Sequence, residues 1–474
     1  MRSMSQRYVL TTNGGMEEVV RDELLEKCAG LSPPVKPSDV ELMPFGGCHG
    51  RLLLTRPVHA AGISKDLSRA TSGGGKLVEP ALEEVLLSMR SIHDAIWHHL
   101  ELPLPQPAEG DPALALYEHL KAMPIDSANG GGPVPPLAAA ATGGGPARTF
   151  RVSCIREGRA HTFTSLDIER EVGGALHESY NAKASMTEFD LRVRVDVAGN
   201  DVVLIGTCIN REPLSKRHKL AFTRNVTLKP TAAYALLRLG RCEAGHVLLD
   251  PCCGSGTLPL EAATVFENLE AHGVDKSAAV VKGAIANAAA AELTGSCTFV
   301  SGNCRQLDKL YPAGKFDCIV TNAPWGVQTA NKGGKGKGDM DLIEKIYRGL
   351  IYSGYKVCKP HARMVILVLR WNILLDLARR SGLWEVVSLI PIRTSNLSPV
   401  AVVLQRNSHD VPKQACLEKL AALTAYYGEP VASTSAPAAT ASEELAHEVD
   451  DGASETFGTE GGAREDEAAE DPLS

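Results

Sequence analysis

The residues with the clearest chemical potential are Asn322-Ala-Pro-Trp325, which follow the apolar, strand-like run Phe316-Asp-Cys-Ile-Val-Thr. An exocyclic amine on an aromatic base is a weak nucleophile, because its lone pair is delocalised into the ring. Two acceptors aimed at its N–H bonds favour a pyramidal nitrogen, and the Asn322 side-chain oxygen and a backbone carbonyl held by Pro324 can supply them. Trp325 offers a face on which an extruded base can stack. Although Asn-x-Pro-aromatic also occurs as a plain turn, we predict that Asn322, Pro324 and Trp325 are catalytic.

A second candidate is the glycine turn Asp250-Pro-Cys-Cys-Gly-Ser-Gly256, between an apolar strand-like run and an apolar helical stretch. Strand, glycine turn and helix form a nucleotide pocket in doubly wound sheets, since glycine lets the backbone approach a ligand. Asp275 ends the next predicted strand and can hold a ribose diol or cap a helix. Asn303 ends the following strand, where it can either hydrogen-bond an adenine or serve as a simple turn residue. The predicted cofactor-binding residues are Asp250, Cys252, Gly254, Gly256, Asp275, Asn303 and Asn322.

The order of these four elements resembles that of class I (Rossmann-like) amino-methyltransferases. The family more often has Asp where this chain has Asn303, and a second proline where it has Ala323. The resemblance implies S-adenosyl-L-methionine as the cofactor. Its sulfonium is a reactive methyl donor, so no strong general base is needed and catalysis is mainly positioning for in-line attack. We predict no bound metal, because the twelve cysteines show neither a Cys-x-x-Cys pair nor zinc-ligand spacing.

The elements before this region have their own pattern. Phe150-Arg-Val-Ser-Cys predicts a strand, and the capping-box spacing of Thr164 and Asp167 predicts a helix that runs to about Tyr180. Leu191-Arg-Val-Arg-Val-Asp-Val alternates strictly and predicts a hairpin with Val202-Val-Leu-Ile. Together these residues resemble the THUMP domain of RNA-modifying enzymes, over about 149–211. The unit before them resembles the ferredoxin-like domain that usually precedes THUMP.

The segment between the two regions is basic, which suggests phosphate contact beside a THUMP-like module; a solvated linker is the alternative. A glycine-rich loop further on carries two more lysines and suggests a basic lid, with an ordinary loop as the alternative. The predicted RNA-binding residues are Lys216, Arg217, Lys219, Arg224, Lys332 and Lys335.

Composition agrees with an RNA partner. The net charge is −7, but the segment from Glu443 onward carries −11, so the remainder is about +4. No apolar run reaches the roughly 18 residues of a membrane span, and no signal-peptide pattern begins the chain. The scattered cysteines favour a reducing compartment, and we expect a cytoplasmic or nuclear protein.

The chain is thus predicted to be α/β: a ferredoxin-like plus THUMP region, then a doubly wound seven-stranded Rossmann-like methyltransferase domain. Helical spacing of apolar residues over 77–100 predicts core packing, and Pro/Gly/Ala richness predicts a flexible linker with one helix near 114–123. The predicted boundaries are 1–102 for the ferredoxin-like domain, 103–147 for the linker, 148–211 for THUMP, 212–228 for the connector, 229–428 for the methyltransferase domain and 429–474 for a disordered acidic tail.

The whole, from about Tyr8 to Arg406, resembles the THUMP-containing guanine N2-methyltransferases. The resemblance implies formation of N2-methylguanosine in tRNA or, in a eukaryotic branch, in U6 small nuclear RNA. It also implies a small zinc-binding activator subunit as partner. Adenine N6 or protein glutamine methylation, and a non-catalytic RNA-binding role, remain the alternatives.

Overall fold

The computed structural model describes residues 5–42, 49–57, 80–103, 111–122, 149–157, 161–198, 202–224, 227–325, 337–393 and 397–406, all within one compact unit. The predicted helix at 413–426 and the predicted tail lie outside the described residues. Within these ranges, no helix has the length and apolarity needed to cross a membrane.

Helices occupy the following segments of the described chain: α1 Glu17–Lys27, α2 Pro80–Ser88, α3 Pro112–Ala122, α4 Ser165–Tyr180, α5 Pro230–Leu239, α6 Thr257–Val265, α7 Ala278–Ala290, α8 Lys337–Val357 and α9 Trp371–Ser381. Strands occupy β1 Ser5–Thr11, β2 Val40–Leu42, β3 Arg51–Pro57, β4 Asp94–Pro103, β5 Thr149–Glu157, β6 Lys183–Ala184, β7 Leu191–Ala198, β8 Val202–Cys208, β9 Val247–Asp250, β10 Glu270–Asp275, β11 Cys297–Ser301, β12 Phe316–Asn322, β13 Cys358–Val368, β14 Trp384–Pro391 and β15 Val400–Arg406.

The two N-terminal regions share one continuous sheet, in the order β2-β3-β1-β4-β8-β7-β5-β6. Strand β4 joins them, because it pairs antiparallel with β1 on one side and with β8 on the other. The capping box at the start of α4 is formed: Thr164 accepts from the Asp167 N–H, and the Asp167 carboxylate accepts from the Thr164 N–H.

The helical spacing over 77–100 does not describe one helix. Helix α2 ends at Ser88, and Ile96 lies in β4. The chain turns because the buried Glu23 carboxylate accepts hydrogen bonds from the backbone N–H groups of Arg90 and Ser91, at 2.8 and 2.9 Å. Those bonds satisfy donors that a continuing helix would have used, so a tertiary contact overrides the local pattern.

Helix α3 lies inside the segment that composition marks as a linker, close to the single helix expected there. It packs against α4, and its Leu116 and Leu120 are buried in the same core as Phe150. The described part of the linker is therefore integrated into the N-terminal unit.

One face of β7 is polar yet buried. Arg194 and Asp196 are ion-paired there, and the Arg51 Nε atom donates to Asp196 at 2.8 Å. Asp94 accepts from Arg194 at 2.9 Å and pairs with Arg192. Strict alternation predicts a strand with a polar face, and the structure shows that this face is closed over by paired charges.

The second sheet has the order β11-β10-β9-β12-β13-β15-β14, with β15 antiparallel to both neighbours. Helices α8 and α9 contribute to the core on one face, and α5, α6 and α7 to the core on the other. This arrangement confirms the predicted doubly wound, seven-stranded domain. Because β10, β9 and β12 are parallel neighbours, the residues that end them lie along one edge of the sheet.

Candidate active site

The glycine turn leaves β9 and enters α6 through backbone that only glycine adopts easily. Gly254 has φ +52° and Gly256 has φ +86°. A Cβ on Gly256 would lie 3.0 Å from the Phe299 ring, whereas one on Gly254 would meet nothing within 4 Å. Gly256 therefore packs the turn onto the sheet, and Gly254 presents backbone to open space where a ligand can approach.

Asp250 is buried rather than presented to the open side of the turn. Its Oδ1 atom accepts from the Thr321 hydroxyl at 2.6 Å and from the Cys252 N–H at 3.1 Å. Burial raises the pKa of Asp250 to about 7, and these two hydrogen bonds oppose the rise. The carboxyl group thus braces β9 against β12, and a direct cofactor contact by Asp250 stays a prediction.

Asp275 is only half-buried, and its carboxylate faces the same turn. It accepts from the Gly254 N–H at 3.3 Å and from the Ser277 N–H at 2.9 Å. Ser277, not Asp275, caps α7, since its hydroxyl accepts from the Val280 N–H. Two carboxylate oxygens offer about four acceptor positions, so the group retains capacity for a ribose diol.

Asn303 caps the short 3₁₀ segment Cys304–Lys309 with its side-chain oxygen, which accepts from the Arg305 N–H at 3.0 Å. The structure therefore gives Asn303 the turn role, and an adenine contact through its amide nitrogen stays a prediction. Cys252 lies beside Cys304; their hydrogen bond and burial raise the pKa of the Cys252 thiol well above its ordinary value. A neutral thiol is a poor nucleophile, so this surrounding does not favour a nucleophilic role, and a cofactor contact by Cys252 stays a prediction.

Asn322 ends β12, and its Oδ1 atom is one of several buried side-chain atoms that have no hydrogen-bond partner among the described residues. Buried acceptors are normally satisfied, and an exception points to a missing ligand or a functional role. The next residue, Ala323, is fixed by its N–H, which donates to the Leu367 carbonyl at 3.2 Å.

The two residues that follow are also held in place. The Tyr347 hydroxyl donates to the Pro324 carbonyl at 3.2 Å, and the Trp325 indole N–H donates to the Leu367 carbonyl at 3.4 Å. Trp325 is half-buried and packs against the sheet core, so part of its ring remains exposed. Because the Pro324 carbonyl already has a donor, the Ala323 carbonyl is the better second acceptor for a substrate amine.

The predicted RNA-binding residues divide into three groups. Lys216, Lys219 and Arg224 are exposed, with Lys216 3.6 Å from Glu212. Arg217 instead turns inward, where it bonds the Arg90 carbonyl and lies 3.7 Å from the buried Glu261 carboxylate. This ion pair turns the half-buried Arg217 toward the protein, and a phosphate contact by Arg217 stays a prediction. Lys332 and Lys335 lie outside the described residues.

Sequence reasoning missed two buried polar residues beside the turn. Glu261 of α6 accepts from His218 at 2.7 Å and from Arg90 at 3.0 Å, and Asn287 of α7 bonds both Phe222 and Ser255. The available signal was one polar residue inside each apolar helical stretch, Leu-Pro-Leu-Glu-Ala-Ala and Ala-Ile-Ala-Asn-Ala-Ala. A polar residue in such a setting requires a buried partner.

The fold and the edge formed by β9, β10 and β12 define a Rossmann-like methyltransferase that uses S-adenosylmethionine. Residues 217–396 match the family described as RMKL-like, methyltransferase domain, and residues 138–205 match the THUMP domain. The tRNA (guanine(6)-N2)-methyltransferase of Thermus thermophilus is 30% identical over 304 residues, which are 64% of this chain and 80% of that protein. The chain belongs to this family of THUMP-containing guanine N2-methyltransferases.

Other relatives match over less of their length. The tRNA (guanine(6)-N(2))-methyltransferase THUMP3 of Bos taurus is 28% identical over 54% of this chain, which spans about half (51%) of that protein. The U6 snRNA (guanine-N(2))-methyltransferase THUMPD2 of Bos taurus is 33% identical over 38% of this chain and 34% of that protein. The crystal structure of TrmN from Thermus thermophilus aligns with 85% of this chain and 100% of its own, at 26% identity and a TM-score of 0.58.

Proposed function

We propose that this chain transfers a methyl group from S-adenosylmethionine to the exocyclic N2 of a guanosine in tRNA. The observation that carries the proposal is the buried, unpartnered Oδ1 atom of Asn322 at the end of β12. A substrate amine would give this acceptor the donor that the described protein does not supply. The names of the relatives that act on guanine N2 in tRNA support the choice of base and RNA.

The chemistry requires little more than positioning. The bound cofactor would supply a methyl group on a sulfonium, which is already activated for displacement. As the amine nitrogen bonds to the methyl carbon, the carbon–sulfur bond breaks, S-adenosylhomocysteine leaves, and the methylated amine releases one proton to solvent. Asn322 Oδ1 and the Ala323 carbonyl accept hydrogen bonds from the two N–H groups of the amine. These bonds direct the nitrogen lone pair toward the methyl group. The Tyr347 and Leu367 contacts keep this peptide in one conformation, which favours in-line attack because little ordering remains to be done.

The cofactor residues fit the same arrangement. Gly254 exposes backbone without a side chain, and Asp275 offers a half-exposed carboxylate beside it. We propose that Asp275 holds the ribose hydroxyls and that Asp250 keeps the turn in shape through Thr321. On the RNA side, the exposed Lys216, Lys219 and Arg224 are proposed phosphate contacts. Lys332 and Lys335, which lie outside the described residues, also remain proposed RNA contacts.

Asn322→Ala tests the proposal directly. We expect methyl transfer to an unmodified tRNA transcript to fall by at least about a hundredfold, the size seen when one preorganised hydrogen-bonding group is removed. Binding of the transcript should change little, whereas binding of S-adenosylhomocysteine can weaken, because Asn322 is also a predicted cofactor contact. Asn372→Ala, the same substitution at an exposed position of α9, is the matched control and should retain the wild-type rate.

The product identifies the substrate class. With labelled cofactor, mass spectrometry of digested nucleosides should place the label in N2-methylguanosine. Label in N6-methyladenosine or in protein, or an undiminished rate for Asn322→Ala, would overturn the proposal. Failure to bind S-adenosylmethionine in calorimetry, with an activator subunit present, would favour a non-catalytic RNA-binding protein.

U6 small nuclear RNA is the second candidate substrate. The U6 relative has higher identity, 33%, than the tRNA relatives, although over a shorter segment. Parallel reactions on tRNA and U6 transcripts separate the two, since a preference in kcat/KM for U6 RNA would reassign the substrate while leaving guanine N2 as the acceptor.

We further propose that a small zinc-binding activator subunit assists this chain. We also propose that this chain acts in the cytoplasm. The first proposal is supported by resemblance to eukaryotic family members, and the second by the scattered free cysteines. Co-expression with such a subunit should raise the methylation rate and the yield of protein relative to expression of this chain alone. Equal rate and yield in both cases would contradict the first proposal. Microscopy of a tagged chain tests the compartment, with nuclear signal as the contrary result.

A further inference from the structure

The basic connector, residues 212–228, is attached to the methyltransferase domain beside the glycine turn. Asn287 of α7 is fully buried and makes the central attachment. Its Oδ1 atom accepts from the Phe222 N–H at 2.7 Å, and its Nδ2 atom donates to the Phe222 carbonyl at 2.8 Å and to the Ser255 carbonyl at 2.9 Å. One side chain thus binds the connector and the turn at once.

Two neighbouring contacts reinforce this attachment. The Thr227 and Ser255 hydroxyls lie 3.3 Å apart, so a second hydrogen bond links connector and turn. The Phe222 ring presses against α7 where Gly283 leaves room, since a Cβ there would lie 2.3 Å from the ring. The connector therefore lies tightly on α7 in this region, and a shift of the connector must disturb either Asn287 or the turn.

The hydrogen bonds from Asn287 and Thr227 to Ser255 end at the glycine turn, which is the proposed cofactor site. Ser255 stands between Gly254 and Gly256, and Gly254 donates to the proposed ribose ligand Asp275. Ordering the turn around a ligand would fix the Ser255 carbonyl, and through it the Asn287 amide and the backbone of Phe222.

The connector also carries exposed positive charge close to the same point. Lys219 lies three residues before Phe222 and Arg224 two residues after it, and both are exposed. A phosphate held by these cations would fix the connector backbone between them. Ligands on the two sides would therefore order the same three hydrogen bonds.

We propose that Asn287 is a positioning residue that couples RNA binding by the connector to cofactor binding at the glycine turn. Each ligand further restricts the motion of this shared link, so each tightens the binding of the other by the same factor. The inference deepens the proposed function and rests on it for both the RNA contact and the cofactor contact.

The test compares dissociation constants of S-adenosylhomocysteine for the full chain, with and without saturating unmodified tRNA transcript. For the wild type we expect the transcript to tighten binding at least about fivefold, the lower end of usual allosteric coupling. Asn287→Ala should bring this ratio close to one. If Asn287 only stabilised the fold, Asn287→Ala would lower the melting temperature and leave this ratio of dissociation constants unchanged. Asn372→Ala is the matched control and should keep the wild-type ratio.

Thr227→Val keeps the inference testable if Asn287→Ala does not fold. It removes one hydroxyl from the second link at a half-buried position, and it should reduce the ratio without unfolding the chain. A wild-type ratio of one, or undiminished ratios in both variants, would overturn the inference.

Hydrogen exchange separates this inference from the choice of RNA. S-adenosylhomocysteine alone should slow exchange of the Phe222 amide severalfold in the wild type but not in Asn287→Ala. Equal slowing in both proteins, or none in the wild type, would contradict the coupling even if N2-methylguanosine is formed. Protection together with a different methylated base would instead reject the proposed substrate and retain the coupling.

Discussion

At the scale of single residues, the carboxyl groups at the strand ends differ in their surroundings although the sequence suggests similar roles. Asp275 is half-buried and accepts only backbone N–H groups, whereas Asp250 is buried with a hydroxyl donor from a neighbouring strand. Burial raises the pKa of Asp250 to about 7. Asp250 is thus the residue of the site whose protonation changes near neutral pH.

Asp250→Asn should change how stability depends on pH. The folded pKa lies above that of an unfolded aspartate, about 3.9, so the native state binds more protons between those values. Stability from this group is therefore fully present at low pH and is lost as pH rises toward 7. We expect the wild-type free energy of unfolding, relative to Asp250→Asn, to fall by up to about 1.4 kcal/mol per pH unit in this window.

Denaturant unfolding of both proteins at several pH values between about 5 and 8 measures this difference. Because the buried histidines titrate in both proteins, their contribution cancels in the comparison. A difference that stays constant across the range would show that Asp250 is ionised throughout and that its burial has been compensated.

Residue types and order were sufficient to place Asp275 and Asn322 at one edge of the sheet, since each ends an apolar strand among parallel neighbours; their roles stay predictions. Residue types and order were not sufficient to separate Arg217 from Lys219, because both are cations in one short segment. Only tertiary structure shows that Arg217 turns toward Glu261, 44 residues further on, and is half-buried. Asn287 was missed for the same reason, as its partners lie in other segments.

At the scale of elements, the connector combines an attached side and an exposed side. Arg217 and His218 face Glu261, while Lys219 and Arg224 face solvent. Only cations of the exposed side can exchange counterions for RNA phosphates. Their substitution should therefore affect RNA binding, and substitution of Arg217 should affect stability.

Lys219→Ala with Arg224→Ala should weaken tRNA binding and lower the slope of log K against log salt concentration by about one for each lost phosphate contact. Arg217→Ala should leave that slope unchanged but lower the melting temperature, because Glu261 would lose one of its buried cationic partners. Fluorescence anisotropy across a salt series gives the slopes. A lower slope for Arg217→Ala alone would return that residue to the RNA surface.

Element types followed well from periodicity where local pattern and tertiary environment agree, as in α4 with its capping box and in the β7–β8 hairpin. Over 77–100 the helical spacing predicted core packing, which the burial of Leu82, Leu86 and Ile92 confirms. The spacing does not give the end of the helix, because Glu23 turns the chain by accepting from Arg90 and Ser91. The polar face of β7 shows a different limit. Alternation gives the strand, but it cannot tell a solvated polar face from one closed by buried ion pairs.

At the scale of the whole molecule, the N-terminal unit and the methyltransferase domain are joined at several points. Arg238 of α5 pairs with Glu26 of α1, and Arg90 lies 3.0 Å from Glu261 of α6. The backbone N–H of Arg393 donates to the Gly14 carbonyl at 2.8 Å. These contacts fix the position of the RNA-binding unit relative to the proposed site, so the fold of that unit must be stable for methylation to be accurate.

That stability depends on the buried ion pairs at β7. Asp196 is fully buried between Arg51 and Arg194; burial alone would raise its pKa, but the two guanidinium groups outweigh burial and hold the pKa below its usual value. Asp196→Ala leaves both cations without that partner. We expect a loss of about 3–5 kcal/mol, the usual effect of breaking a buried pair.

Asp376→Asn supplies the control, because its pair with Arg380 is exposed on α9 and such pairs contribute little. Thermal and denaturant unfolding should show a large loss for Asp196→Ala and no measurable loss for Asp376→Asn. Since the damaged pairs lie in the N-terminal sheet, tRNA binding should fall more than S-adenosylhomocysteine binding at temperatures where the sheet has begun to open. Equal stability of the two variants would mean that water or rearranged side chains satisfy Arg51 and Arg194, and that these ion pairs do not hold the RNA-binding unit together.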